Sequence, residues 1–95
     1  MRFKDKTVLV TGSGRGIGAA CVRRFAQEGA QVVVHYLKNS EAAEEVATSI
    51  RAEGGKAQVL QADLAQPTQV EQLVNATVEA FGGLDVLVNN AGTGM

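Results

Sequence analysis

The chain has 95 residues and a mass of 9.9 kDa, with nine Lys plus Arg against ten Asp plus Glu, a net charge of −1 and a pI near 5.7. That length allows one small domain burying roughly 60–70% of its unfolded surface, and without a basic excess nothing favours nucleic acid as a partner. A hydrophobic share of 45% argues against disorder, and the single cysteine, Cys21, excludes an intrachain disulfide and a cysteine-based zinc site.

In chain order, the charged start Met1-Arg2-Phe3-Lys4-Asp5-Lys6 is followed by an apolar run of only three residues, Val8-Leu9-Val10. A secretory signal needs roughly 7–15 apolar residues and a membrane span about 20, so the expected setting is cytoplasmic, with no membrane partner. Thr7 to Val10 reads as a buried strand closed by Thr11-Gly12. From Ile17 to Glu28 the apolar residues Ile17, Ala20, Cys21 and Phe25 recur at helical spacing and predict the buried face of a first helix, which Gly29 ends. Gln31 to His35 is a valine-rich second strand. Ser40 is expected to cap the next helix, with Ala43, Val46, Ala47 and Ile50 as its stripe and Gly54-Gly55 as its end.

Ala57 to Leu60 forms a third strand whose segment finishes at Asp63, and Pro67 suits the first position of a third helix. Val70, Leu73, Val74, Thr77 and Phe81 make one face of that helix up to Gly82-Gly83, and Leu84 to Val88 is a fourth strand. The pattern is βαβαβαβ. Short apolar strands buried on both faces and joined by helices require a parallel sheet with right-handed crossovers, an α/β doubly wound fold of which this is the first half.

The first strand runs directly into Thr11-Gly12-Ser13-Gly14-Arg15-Gly16-Ile17-Gly18. Glycines serve a tight strand-to-helix turn, a close backbone approach to a pyrophosphate and close packing of helix on sheet, and the helix N-terminus then offers its amides to the anion. Two registers satisfy this chemistry. Gly14-x-Gly16-x-x-Ala19 fits the general dinucleotide fingerprint, and Gly12-x-x-x-Gly16-x-Gly18 is the other choice. No Lys-Ser/Thr pair follows the loop, which excludes a phosphate-loop NTPase.

Thr11-Gly12-x-x-x-Gly16-x-Gly18 resembles the cofactor motif of the short-chain dehydrogenase/reductase family. Ala62-Asp63-Leu64 and Asn89-Asn90-Ala91-Gly92 resemble two further signatures of that family at the third and fourth strand ends. The resemblance spans the whole chain, and within the family the wording is most similar to bacterial 3-oxoacyl-carrier-protein reductases. It implies a Rossmann-type sheet of strand order 3-2-1-4 over residues 1–95, stopping before the catalytic half. It also implies that Gly12, Gly16 and Gly18, with Ser13, Arg15 and Ile17 around them, form the pyrophosphate turn. Asp63 would bond the adenine amino group, Leu64 would line the adenine slot, Asn90, Ala91 and Gly92 would pass the ribose, and Asn89 would fix the central strand.

An NAD site usually carries an acidic residue about 20 positions past the glycines to hold the ribose 2′-OH. Here the stretch is Val34-His35-Tyr36-Leu37-Lys38-Asn39-Ser40, with no acid before Glu41. Arg15 and Lys38 supply positive charge, Asn39 and Ser40 supply donors and Tyr36 lies toward the adenosine end, so NADP(H) is the expected cofactor in preference to NAD(H). His35 is read as a structural or cofactor-edge residue and Cys21 as an inert small hydrophobe.

The family's chemistry uses a Ser and a Tyr-x-x-x-Lys, in which the lysine lowers the tyrosine pKa for general acid catalysis. The one tyrosine, Tyr36, is followed four residues later by Ser40. No catalytic residue is therefore named. The chain reads as the cofactor-binding part of a longer oxidoreductase acting on a carbonyl or alcohol substrate, a form expected to be a homo-oligomer. A stand-alone nucleotide-binding or regulatory module is the alternative. A domain for S-adenosylmethionine is a third reading, weakened by the missing acid after the second strand.

Overall fold

The computed structural model describes residues 2–90. The elements are β1 (Thr7–Val10), α1 (Gly16–Gln27), β2 (Gln31–Tyr36), α2 (Ser40–Ala52), β3 (Lys56–Gln61), α3 (Pro67–Phe81) and β4 (Val86–Val88). All pairings are parallel and the sheet order is β3-β2-β1-β4, the order that the family resemblance implies. Val8 is level with Val32 and Val86, Leu9 with Val33 and Leu87, and Val10 with Val34 and Val88.

Alternation along the strands divides the core in two. Val8, Val10, Val32, Val34 and Ala57 face α1 and α2, packing on Ala19, Val22, Ala43, Val46, Ala47 and Ile50. Leu9 and Val33 face the other way, against Leu73 of α3 and Ala62. Helices on both faces make the doubly wound arrangement. Burial on both faces, expected for every strand, holds for β1 and for the middle of β2 only. Gln58 of β3 is exposed, and Leu87 of β4 is 56% exposed, α3 being the one helix on its side of the sheet among the described residues.

The apolar face of α1 is rotated from the one periodicity predicts. Its buried residues are Gly18, Ala19 and Val22, while Ala20 is exposed, Cys21 and Phe25 are half-buried and Ile17 is 81% exposed. The rotation follows from Gly18, which must lie against the preceding turn. The α2 stripe of Ala43, Val46, Ala47 and Ile50 is buried as expected. Its cap is Asn39, not Ser40: Asn39 Oδ1 accepts from Ala42 N at 3.0 Å, and Ser40 is already helical. Pro67 does open α3, and Gly82 ends it in a left-handed conformation. Leu73 and Thr77 of α3 are buried, whereas Val70 lies exposed.

β4 is shorter than predicted because it starts only after Asp85. Asp85 Oδ2 accepts from Thr7 N at 2.8 Å and Asp85 N donates to Thr7 O at 2.9 Å, so this residue plugs the start of β1 before the ladder begins. Leu87 lies on an outer strand of the described sheet. A polypeptide consisting only of these 95 residues is accordingly expected to self-associate along β4. Size-exclusion chromatography with light scattering checks this, and a monodisperse monomer with a cooperative melt would contradict it.

Candidate functional site

Because the strands are parallel, all four end at one edge of the sheet. From β1 the chain runs outward through β2 to β3 and then returns to β4 on the other flank of β1. The crevice where such a reversal occurs, at the carboxyl ends of the strands, is where open α/β sheets bind ligands.

The turn from β1 to α1 shows which glycines are required. Gly12 and Gly16 have φ of +63° and +61°, a region costing other residues roughly 1–2 kcal/mol. Gly18 has another role: a Cβ there would overlap the Gly12 carbonyl oxygen and lie 2.6 Å from Asn90 Nδ2. Gly14 needs neither property, since a Cβ there would make an ordinary 3.4 Å contact with Ala43 of α2. Geometry thus distinguishes the two registers in favour of Gly12, Gly16 and Gly18.

The turn is held from three strands. Ser13 is fully buried, its hydroxyl donating to Val10 O at 2.6 Å and accepting from His35 N at 2.9 Å, while Ser13 N donates to His35 O at 3.0 Å. The Ser13 hydroxyl therefore shapes the turn from inside. On the other flank Thr11 N donates to Val88 O at 3.0 Å, Asn90 N donates to Thr11 Oγ1 at 2.9 Å and Asn90 Nδ2 donates to Gly12 O at 3.2 Å. The bracing expected of Asn89 is shared: Asn89 Oδ1 accepts from Thr11 Oγ1 at 3.4 Å, and Asn90 makes the shorter bonds.

Several polar and charged groups remain at the edge. Arg15 is exposed and stands at the N-cap of α1 without a side-chain capping bond, and the first turn of α1 holds no acidic residue. Its amides therefore meet no side-chain acceptor at the cap. Ile17 beside them is exposed, and a Cβ on Gly16 would meet nothing within 4 Å. Beyond β2, Tyr36 is half-buried and Lys38, Asn39 and Ser40 are exposed, with Asn39 committed to capping α2. Gly14 against Ala43 places the glycine turn beside the first turn of α2, so Arg15 and the 37–40 segment leave neighbouring strand ends.

After β3, Asp63 and Leu64 are half-buried. Asp63 Oδ1 accepts from Ala65 N at 3.0 Å and Asp63 N donates to Gln69 Oε1 at 2.8 Å, which fixes the loop into α3. Ala91 and Gly92, expected at the ribose, lie outside the described residues. Sequence reasoning gave the Thr11 side chain no role of its own and read His35 only as a structural or cofactor-edge residue, without its bonds to the turn. Their partners are 23 to 79 residues away, beyond the reach of a local pattern.

The family model described as short chain dehydrogenase matches residues 6–95. The chain belongs to the short-chain dehydrogenase/reductase family. It is 47% identical over 91 residues to an uncharacterized oxidoreductase of Methylorubrum extorquens, covering 96% of this chain and 37% of that protein. It is 47% identical over 90 residues to 3beta-hydroxysteroid dehydrogenase 1 of Eggerthella lenta, covering 95% and 34%. Among solved structures, a short chain dehydrogenase from Burkholderia cenocepacia in complex with NADP superimposes with a TM-score of 0.93 at 50% identity, covering 97% of this chain and 38% of that one. The chain thus spans about a third of the length of these relatives, and it matches the N-terminal part of the family's Rossmann-like fold. Among the described residues, no helix is long and apolar enough to cross a membrane.

Proposed function

We propose that this chain is the cofactor-binding part of an NADP(H)-dependent oxidoreductase that moves hydride between nicotinamide and a carbonyl or alcohol. The observation that carries the cofactor preference is at the end of β2. Lys38 is exposed there, Arg15 is exposed on the adjoining turn, and no carboxylate lies between Val34 and Ser40. A 2′-phosphate meets cationic donors at such an edge and no like charge.

The structure fits a dinucleotide on its own terms. The open position at Gly16, the α1 N-terminus without a side-chain cap and the close seat of Gly18 support this reading, since uncapped amides at a helix start are donors for an anion. Gly12, Gly16 and Gly18, with Ser13 shaping the turn and Arg15 and Ile17 at its rim, would hold the pyrophosphate. Tyr36, Lys38, Asn39 and Ser40 would line the 2′-phosphate end. Asp63 and Leu64 would meet the adenine, and Asn90 would pass the ribose together with Ala91 and Gly92.

Nicotinamide supplies the hydride chemistry when bound, and these residues bind and orient it. No residue here is assigned to proton transfer, since the sequence contains no Tyr-x-x-x-Lys. A polypeptide of these residues alone is expected to bind without turnover, and the protein that carries them to work as a homo-oligomer. The motif wording favours a 3-oxoacyl thioester as the first substrate to assay, followed by the 3β-hydroxysteroid class for which the Eggerthella relative is named.

Calorimetric titration with NADPH and NADH tests the assignment. NADPH is expected to bind tighter by about tenfold or more, about 1.4 kcal/mol. Equal or tighter NADH binding overturns the preference, and binding of neither overturns the site.

A further inference from the structure

Among the described residues His35 is the one buried side chain with a titratable group, only 2% exposed. Its ring bridges two strand ends. Gly12 N donates to Nδ1 at 2.8 Å, and Nε2 lies 2.9 Å from the carbonyl oxygen of Ala62. A backbone amide only donates and a carbonyl only accepts, so the neutral ring with its hydrogen on Nε2 satisfies both at once. The other tautomer and the doubly protonated ring would each set a donor against the Gly12 amide.

The peptide groups on either side of Gly12 are therefore gripped from opposite flanks, the amide by His35 of β2 and the carbonyl by Asn90 after β4. That carbonyl is also the atom against which Gly18 packs. Ala62 opens the loop that carries Asp63 and Leu64, and its own amide donates to Tyr36 O at 3.2 Å. The ring thus ties the glycine turn to the β3 end across the middle strand.

We propose that His35 is a positioning residue. Its Nδ1 holds the Gly12 amide and so fixes the pyrophosphate turn for the cofactor, while the Nε2–H bond to Ala62 O sets the tautomer that leaves Nδ1 free to accept. The inference rests on the dinucleotide assignment. Loss of the acceptor would leave the half-buried Gly12 amide without its ring partner, and it would turn toward water and carry the turn with it.

The test combines ring-nitrogen NMR on the wild-type protein with NADPH titration and Gly12 amide exchange in the folded variants His35→Leu and His35→Asn. Leucine keeps bulk and removes both contacts, whereas asparagine restores an acceptor close to the position of Nδ1. The expected result is an unprotonated Nδ1, NADPH binding weakened about tenfold or more in H35L with faster Gly12 exchange, and binding within about fivefold of wild type in H35N. A proton on Nδ1, or an H35L affinity weakened by less than that, overturns the proposal. Should H35L fail to fold, H35N decides, and a loss beyond about fivefold in the folded variant overturns it. If the wild type binds no NADPH, the dinucleotide assignment falls and takes the cofactor role with it. The tautomer and the Gly12 exchange then still show whether the clamp exists.

Discussion

Gly18→Ala is expected to destabilise the protein by about 3 kcal/mol and to abolish NADPH binding, whereas Gly14→Ala stays within about 0.5 kcal/mol of the parent. The two substitutions add the same methyl group to the same loop. At Gly18 it meets the Gly12 carbonyl and Asn90 Nδ2, a backbone atom and the end of a short braced side chain, neither of which yields cheaply. Relief requires the helix to move off the turn, which breaks the Asn90–Gly12 bond and displaces the α1 amides. At Gly14 the methyl group rests on Ala43 at an ordinary contact distance, and the backbone there has no left-handed φ. Thermal melts separate the cases, since about 3 kcal/mol corresponds to a Tm drop of roughly 12–24 °C in a domain of this size. Coincident melts for the two variants would mean that the close seat of Gly18 does not hold the helix to the turn.

The second large effect is a change of cofactor. Tyr36 stands 20 residues past Gly16 at the end of β2, where an NAD site places a carboxylate on the ribose 2′-OH. In Tyr36→Asp a negative charge would face the 2′-phosphate. Two unit charges about 5 Å apart at an effective dielectric near 20 repel by about 3 kcal/mol, before salt screening reduces it. NADPH is therefore expected to bind about 100-fold more weakly and NADH more tightly, which reverses the preference. Calorimetry on the folded variant reads both. Retention of NADPH affinity within about tenfold would place the 2′-phosphate away from the end of β2.

All seven elements were legible in the sequence because each carries a signal in its own residues: valine runs, Pro67 opening a helix, glycines closing three. What was not legible depends on contacts between distant segments. The face of α1 was misread because periodicity weighs residue size, and Ile17 is larger than Gly18. The orientation of the helix is set instead by the one position where the turn tolerates no side chain. Asn39 and Ser40 are both good caps, and only the helix start decides between them. Asp85 sits inside an apolar run yet serves Thr7, 78 residues away. The glycine register, open from spacing alone, was chosen by the family resemblance, and the backbone angles and close approaches point the same way.

The bonds that finish the glycine turn join Thr11 and Gly12 to Val88, Asn89 and Asn90, almost a full chain length apart. By contrast, the ladders of β1 with β2 and of β2 with β3 join successive strands, each through a single crossover helix. On the ribosome the first sixty or so residues would emerge with partners already available, and loop closure across so few residues is fast. The turn would then wait, with its His35 flank set and its Asn90 flank open, until β4 emerged and docked. Competence to grip a phosphate would thus be acquired last, and a nascent or partly unzipped chain would keep most of its sheet before it could hold a nucleotide.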